Sequence, residues 1–424
     1  MLDILITNAT LPDGRTGQSI AIQGDRIVEV GPSVSGDAGR TIDAGGCLVT
    51  PPFIDPHFHL DSTLSLGEPR LNQSGTLLEG IQLWGELKPH LTGDAIKQRV
   101  RELARWSIAK GTLAIRSHVD TSDPRMINVD ALIEVREELK PYIDIQLVAF
   151  PQDGFFRSPG AAENLTRALD KGVDVVGGIP HFERTMEDGS RSVRALCEIA
   201  AERGLRVDMH CDETDDPMSR HIETLTAETK RLGLEGRVAG SHLTSMHSMD
   251  NYYVSKLLPL MAESRMHAIP NPLINITLQG RHDSYPKRRG MTRVKEMTAA
   301  GINVALGHDC VMDPWYSLGS HDMLEVAHMA VHVGQMTGVD EMKAMFAAVT
   351  ENSAKAMGLE GYGISKGSNA DLVILQAGDA MEAIRLKPNR LFVIRRGQVI
   401  AEAPPQMSTV SIGGEKHQVD FRRN

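Results

Sequence analysis

The chain has 424 residues, a formal net charge of −10 and a pI near 5.9, with 41% hydrophobic and 24% charged residues. That length holds a barrel of about 250 residues plus a smaller domain, and the acidic balance argues against nucleic acid or anionic membrane as a main partner. The opening MLDILITNATLPDG shows no basic segment leading into an apolar run, nothing is apolar enough to span a bilayer, and the four cysteines form no CxxC, so a cytoplasmic protein with reduced thiols is expected.

Residues 1–50 read as β-structure: LDILITNATL, QSIAIQG, DRIVEVG and CLVTP are short apolar stretches broken by turn residues. The same texture returns from residue 366, in ADLVILQ, NRLFVIRRGQVIAE and TVSIGG. The expectation is one discontinuous β-domain built from residues 1–50 and 366–424. Between them, residues 51–365 alternate strand and helix. After CLVTPPFID, strands are expected at 112–118, 143–150, 173–179, 205–210, 237–242, 266–270 and 302–308. In DAIKQRVRELARWSIAKG, Ile96, Val100, Leu103 and Ser107 share a helical face, with Thr92 as N-cap and Gly111 as stop. ENLTRALDKG and SVRALCEIAAERG follow suit. Eight strands alternating with helices favour an α/β fold, a closed parallel (β/α)8 barrel, over a doubly wound open sheet. Residues 61–90 and 271–291 are long for barrel loops and are expected to act as lids or substrate walls.

Chemistry-bearing residues sit at the expected strand ends, where a barrel builds its catalytic face. His57 and His59 are two apart on an extended segment, so both point one way. His210 ends strand five, with Glu213 three residues on in a polar loop whose Asp212, Asp215 and Asp216 read as a solvated acidic turn. His242 ends strand six, and His247 reads as a surface histidine. Asp309 ends strand eight, and His308 before it should pack away from the site. His118 and His181 also end strands and read as groups beside the ligands or lining the pocket. Taken singly, each motif is compatible with ordinary polar residues at strand ends.

Jointly, on strands one, five, six and eight, the pattern resembles the amidohydrolase superfamily. That resemblance implies a TIM-like barrel with a small β-sandwich formed by both termini. Binuclear members carry a carboxylated lysine at the end of strand four; here VVGGIPHFE has none. The resemblance therefore implies one divalent ion per chain, Zn2+ or Fe2+, held by His57, His59, His210 and Asp309. Segment after segment, including VTPPFIDPHFHLD, VAFPQDG, HCDETDD, NPLINITLQGR and GINVALGHD, is similar to bacterial cytosine deaminases. This implies Gln152 as the amide that reads the base, Glu213 as proton shuttle and His242 as partner of the attacking oxygen, with Asp309 taking a proton. Phe150, Leu77 and Trp315 are expected as apolar walls for a flat ring.

One departure carries information. Where bacterial cytosine deaminases usually have a second Asp after the metal-binding Asp, this chain has Cys310. Losing a carboxylate makes room for an apolar substituent on the pyrimidine, and a methyl at C5 is the natural one. The expected substrate is 5-methylcytosine, with cytosine second. The alternatives are an ordinary cytosine deaminase, a deaminase of isoguanine, an aminotriazine or creatinine, and a catalytically silent scaffold. A homo-oligomer acting on a small molecule is the expected form.

Overall fold

The structure, a computed structural model, describes residues 1–423. Eight parallel strands follow one another in a single sheet: Phe53–Phe58, Thr112–Asp120, Asp144–Phe150, Val175–Gly178, Arg206–Cys211, Val238–His242, His267–Ile269 and Asn303–Val304. Its two edges meet at a parallel bridge between Phe58 and Asp309. There Asp309 N–H donates to His57 O at 2.9 Å, and His59 N–H donates to Asp309 O at 3.0 Å. The sheet thus curls into a TIM-like barrel. Every residue of Thr112–Asp120 is buried, as a parallel strand covered on both faces requires.

The helices cover the outer face. Helix Gly93–Ala109 begins where the Thr92 side chain accepts from Ala95 N–H, and it buries Ile96, Val100, Leu103 and Ser107. Each large aliphatic side chain buried this way stabilises the fold by about 1.5–3 kcal/mol. Gly111, at φ +74°, turns the chain into the second strand in a conformation that suits glycine. Helices Ala161–Asp170 and Met186–Arg203 occupy the other two expected places.

Strand eight differs from expectation. Ladder pairing stops at Val304, well short of residue 308. Beyond it the backbone bonds in turn to three partners: Ala305 N–H to Ala268 O at 2.9 Å, Leu306 N–H to Ala348 O at 2.9 Å and Gly307 N–H to Pro270 O at 3.2 Å. Gly307 is needed there, because a Cβ would lie 2.7 Å from the Cβ of His57. The two long stretches border a cavity at the strand ends, as expected of substrate walls. Each carries a helix, Leu77–Leu87 in one and Pro272–Leu278 in the other.

Two four-stranded sheets draw on both ends of the chain. One has the order Arg26–Gly31, Gln18–Gln23, Leu2–Ala9, Ala38–Asp43; the other has Gln398–Glu402, Arg390–Arg395, Leu372–Leu375, Leu48–Thr50. Ile4, Ile6, Ile20, Ile22 and Ile27 from the first join Val49, Leu372, Ile374 and Ile394 from the second in one apolar core. Leu48–Thr50 pairs antiparallel with Leu372–Leu375, so the N-terminal segment is stitched to the C-terminal one before it enters the barrel. TVSIGG belongs to neither sheet: Ser408–Ile412 forms a separate hairpin with Glu415–Val419. Among the described residues no helix is long and apolar enough to cross a membrane.

Candidate active site and metal centre

Strand ends one, five and eight bring His57, His59, His210 and Asp309 together. Their donor atoms all lie within 4.8 Å of one another, and all four residues are buried. His59 Nε2 and His210 Nε2 face each other at 3.0 Å. Asp309 Oδ1 lies 3.5 Å from His57 Nε2 and 3.3 Å from His59 Nε2. Both ring nitrogens of His57 and Nδ1 of His210 are buried without a hydrogen-bond partner. Buried polar atoms are normally satisfied, so orphaned nitrogens on two of the imidazoles, within a cluster of three imidazoles and a carboxylate, fit a divalent metal with N/O ligation.

Local electrostatics supports that chemistry. Burial, followed by the neighbouring imidazoles, pushes His210 well below the ordinary histidine range. Burial also lowers His242, although Asp309 opposes it. Both rings are therefore neutral. Burial would raise the Asp309 carboxyl, but His242, His57 and His59 together hold it well below the usual aspartate value. For His59 burial acts downward, and Asp309, with Asp61 and Asp313, more than offsets it. Glu213 goes the other way: burial, then the Asp309 charge, pushes its carboxyl well above the ordinary glutamate value.

Glu213 Oε1 is 3.5 Å from His242 Nδ1, which is 3.8 Å from Asp309 Oδ2. These groups, with Leu77, Gln152, Cys310 and Trp315, border a cavity of about 400 Å3. Phe150 does not border it. Its ring stacks on His210, with centroids 4.2 Å apart, and so backs a donor of the quartet. Trp315 is seated on the Leu77–Leu87 helix at Gly80, where a Cβ would come within 2.6 Å of the indole Nε1. Burial, then Asp309 and Asp313, pushes the Cys310 thiol well above its ordinary value. Cys310 therefore stays a protonated, neutral side chain beside the cavity, its Sγ 3.6 Å from Asp309 Oδ1.

Three residues of the site adopt left-handed backbone: Asp212 (φ 55°), His242 (φ 69°) and Asp309 (φ 73°). Such conformations cost of order 1–3 kcal/mol each and persist only where surrounding bonds hold them. Asp212 shows how. It was expected in a solvated turn, yet it is fully buried. Its carboxylate accepts from Ser219 Oγ at 2.6 Å, His221 N–H at 3.1 Å and Ile222 N–H at 2.8 Å, and pairs with His221 Nδ1 at 2.7 Å. The loop carrying Glu213 is thereby fastened to the next helix. His247 is likewise half-buried and not a free surface group, with Nε2 3.1 Å from Asp215 Oδ1.

His181 lines the cavity, and its Nδ1 accepts from Glu213 N–H at 3.4 Å. His118 packs its ring on His57, centroids 4.2 Å apart. His308 is packed away from the quartet, its Nδ1 2.9 Å from Cys310 O.

Three supports were not foreseen. Asn275 Nδ2 lies 2.9 Å from His242 Nδ1. Asp55 accepts from the backbone N–H of both His57 (3.1 Å) and His308 (3.2 Å) and meets His321 Nε2 at 2.9 Å. Asp313 accepts from Ser62 Oγ at 2.9 Å, from Trp315 N–H at 2.9 Å and from Tyr316 N–H at 3.0 Å, so it shapes the turn that carries Trp315. The only sequence signals for Asn275 and Asp313 were their places in NPLINITLQGR and DPWYSLG, segments similar to bacterial cytosine deaminases; His321 gave none.

Comparison with known proteins agrees with this architecture. A 5-methylcytosine deaminase from Klebsiella pneumoniae, solved with 5-fluorocytosine, is 42% identical, with a TM-score of 0.92 over 95% of this chain and 98% of that one. An N-isopropylammelide isopropyl amidohydrolase from Pseudomonas sp. (strain ADP) is 30% identical over 94% of this chain and 97% of its own length. A pterin deaminase from Rhizobium rhizogenes is 29% identical over 95% of this chain and 94% of its own length. A family model described as amidohydrolase family matches residues 40–402, which takes in the whole barrel and both stitched ends; the chain belongs to the amidohydrolase family, hydrolases of C–N bonds.

Proposed function

We propose that this protein hydrolytically deaminates a free aminopyrimidine, with 5-methylcytosine converted to thymine and ammonia in preference to cytosine. The observation that carries the reading is the cavity, where three of the four N/O donors (His59, His210 and Asp309), a buried carboxyl held protonated, a side-chain amide and a neutral thiol border one space, with His57 directly behind. His57, His59, His210 and Asp309 would hold one Zn2+ or Fe2+ ion, which when bound supplies water of lowered pKa. Asp309 takes the proton that water loses. Glu213, held protonated by its surroundings, gives its proton to ring N3, which makes C4 electron-poor; its carboxylate then takes the proton of the new C4 hydroxyl, passes it to the exocyclic amine, and is reprotonated by the proton Asp309 took. The C4–O bond forms, the C4–N bond breaks, and ammonia leaves. His242 faces the oxygen as it adds. Gln152, with a donor and an acceptor on one amide, suits the O2/N1 edge of the pyrimidine. Leu77 and Trp315 flank the ring, and Cys310 leaves space at C5.

This reading is supported by the 42% identity to a 5-methylcytosine deaminase along nearly the whole chain. The enzyme would work as a cytoplasmic homo-oligomer. The test is ammonia release by the purified, metal-loaded protein from a panel holding 5-methylcytosine, cytosine, isoguanine, an aminotriazine and creatinine. The two cytosines should dominate, with 5-methylcytosine first; turnover confined to a triazine or a purine would replace the pyrimidine reading.

A further inference from the structure

Gln152 sits on a loop, and a lysine from another segment fastens that loop. Lys88 follows the Leu77–Leu87 helix directly, and its side chain is 13% exposed. Its Nζ lies 2.9 Å from Asp120 Oδ2 and 2.6 Å from Asp153 Oδ2. Asp153 is the residue after Gln152. Asp120 ends the second barrel strand, and its Oδ2 also accepts from Trp84 Nε1 at 2.7 Å. Its Oδ1 accepts from Ser122 N–H at 2.7 Å, and Ser122 Oγ accepts from Asp153 N–H at 3.1 Å. The helix that ends at Lys88 brings Leu77 and Ile81 to the cavity wall and seats Trp315 at Gly80.

A single ammonium therefore joins a strand end, the Gln152 loop and the helix that forms one wall. Burial would lower the Lys88 pKa, but Asp120 and Asp153 raise it by more, so the group stays charged. Without that charge, two carboxylates would face each other across a half-buried gap, and like charges so placed push apart. Lys88 itself does not border the cavity.

We propose that Lys88 is a positioning residue: anchored at the end of the Leu77–Leu87 helix, it bridges Asp120 and Asp153 and so fixes Gln152 against the ring site. This rests on Gln152 reading the base. A displaced amide weakens a hydrogen bond made to substrate and transition state alike, so the loss falls on KM more than on kcat.

The test uses the metal-loaded full chain with cytosine and 5-methylcytosine, in Lys88→Met, Lys88→Arg and Asp153→Asn, and in Lys88→Met on a Gln152→Ala background. Lys88→Met and Asp153→Asn should raise KM about tenfold, the scale of one charged hydrogen bond, with kcat changed less than about threefold. Lys88→Arg should recover most of the loss. On the Gln152→Ala background Lys88→Met should add less than about twofold, since the group it positions is gone. The proposal is overturned if folded Lys88→Met or Asp153→Asn keeps the wild-type KM, whatever happens to Tm, or if the Lys88 effect multiplies in full on Gln152→Ala. Should Lys88→Met fail to fold, Asp153→Asn carries the test, because that side chain is 41% exposed. A Gln152→Ala variant with unchanged KM overturns the role of Gln152 itself, and this proposal with it. A raised KM in Gln152→Ala beside an unchanged KM in Lys88→Met overturns this proposal alone.

Discussion

Replacing Glu213 with Gln separates proton transfer from every other property of the site. Glu213 is buried, and its carboxyl is held protonated by burial and by Asp309. A neutral amide of the same shape therefore brings no new charge into the cavity, and at neutral pH, where the wild-type carboxyl must take up a proton on folding, the Gln variant should be at least as stable as wild type. The donor quartet is untouched, so bound metal should stay at the wild-type level. What is lost is the proton for N3 and for the leaving amine, and kcat should fall by about 10²- to 10⁴-fold. A pH signature accompanies this. In the metal-free protein the folded pKa of Glu213 is raised, so the folded state holds its proton longer than the unfolded state. Its contribution to stability is fully present below the ordinary glutamate pKa and is lost as pH rises towards the raised value. Denaturant unfolding of metal-free protein across that window should show the decline in wild type and a shallower one in the Gln variant. A Glu213→Gln enzyme with metal bound and near-wild-type kcat would refute the reasoning.

Metal analysis after chelation and reloading should give one divalent ion per chain. At a free ion concentration about 100-fold above Kd, reloading should stabilise the fold by about 2.7 kcal/mol. Two ions, both needed for activity, would contradict the four-residue site. Gly80→Ala adds a methyl where the Trp315 indole rests, so Trp315 fluorescence should shift and KM should rise about tenfold. The same change favours the helix by about 1 kcal/mol, so Tm should hold; a silent substitution would mean that Trp315 is not seated by this helix.

Much of the barrel was legible because its signals are local and periodic. Apolar runs mark the strands, and the stripe of Ile96, Val100, Leu103 and Ser107 marks a helix, each within a few residues. The quartet was legible because strand ends carry histidines in a spacing shared with relatives. Elsewhere the deciding contacts are distant in sequence. Ala38–Asp43 escaped notice because it buries only Ile42 and is held by parallel pairing with Leu2–Ala9. Strand eight ends early because Gly307 must pass His57, a constraint that no window around 302–308 contains. Asp212 looked like one more acid in a polar loop. Its burial is decided by His221 and Ser219, which fold back onto it. Phe150 was placed one layer too far forward, since alternation along a strand gives a side but not a depth.

The central claim is the preference for a C5-methylated ring through Cys310, and kcat/KM for 5-methylcytosine and cytosine in wild type and Cys310→Asp tests it most directly. One methyl in an apolar pocket discriminates by roughly 10- to 200-fold, so wild type should favour 5-methylcytosine within that range. Cys310→Asp should keep its metal, lose most activity on 5-methylcytosine and retain or gain activity on cytosine. A wild-type preference for cytosine, or an equal fall on both substrates in the Asp variant, would contradict the account.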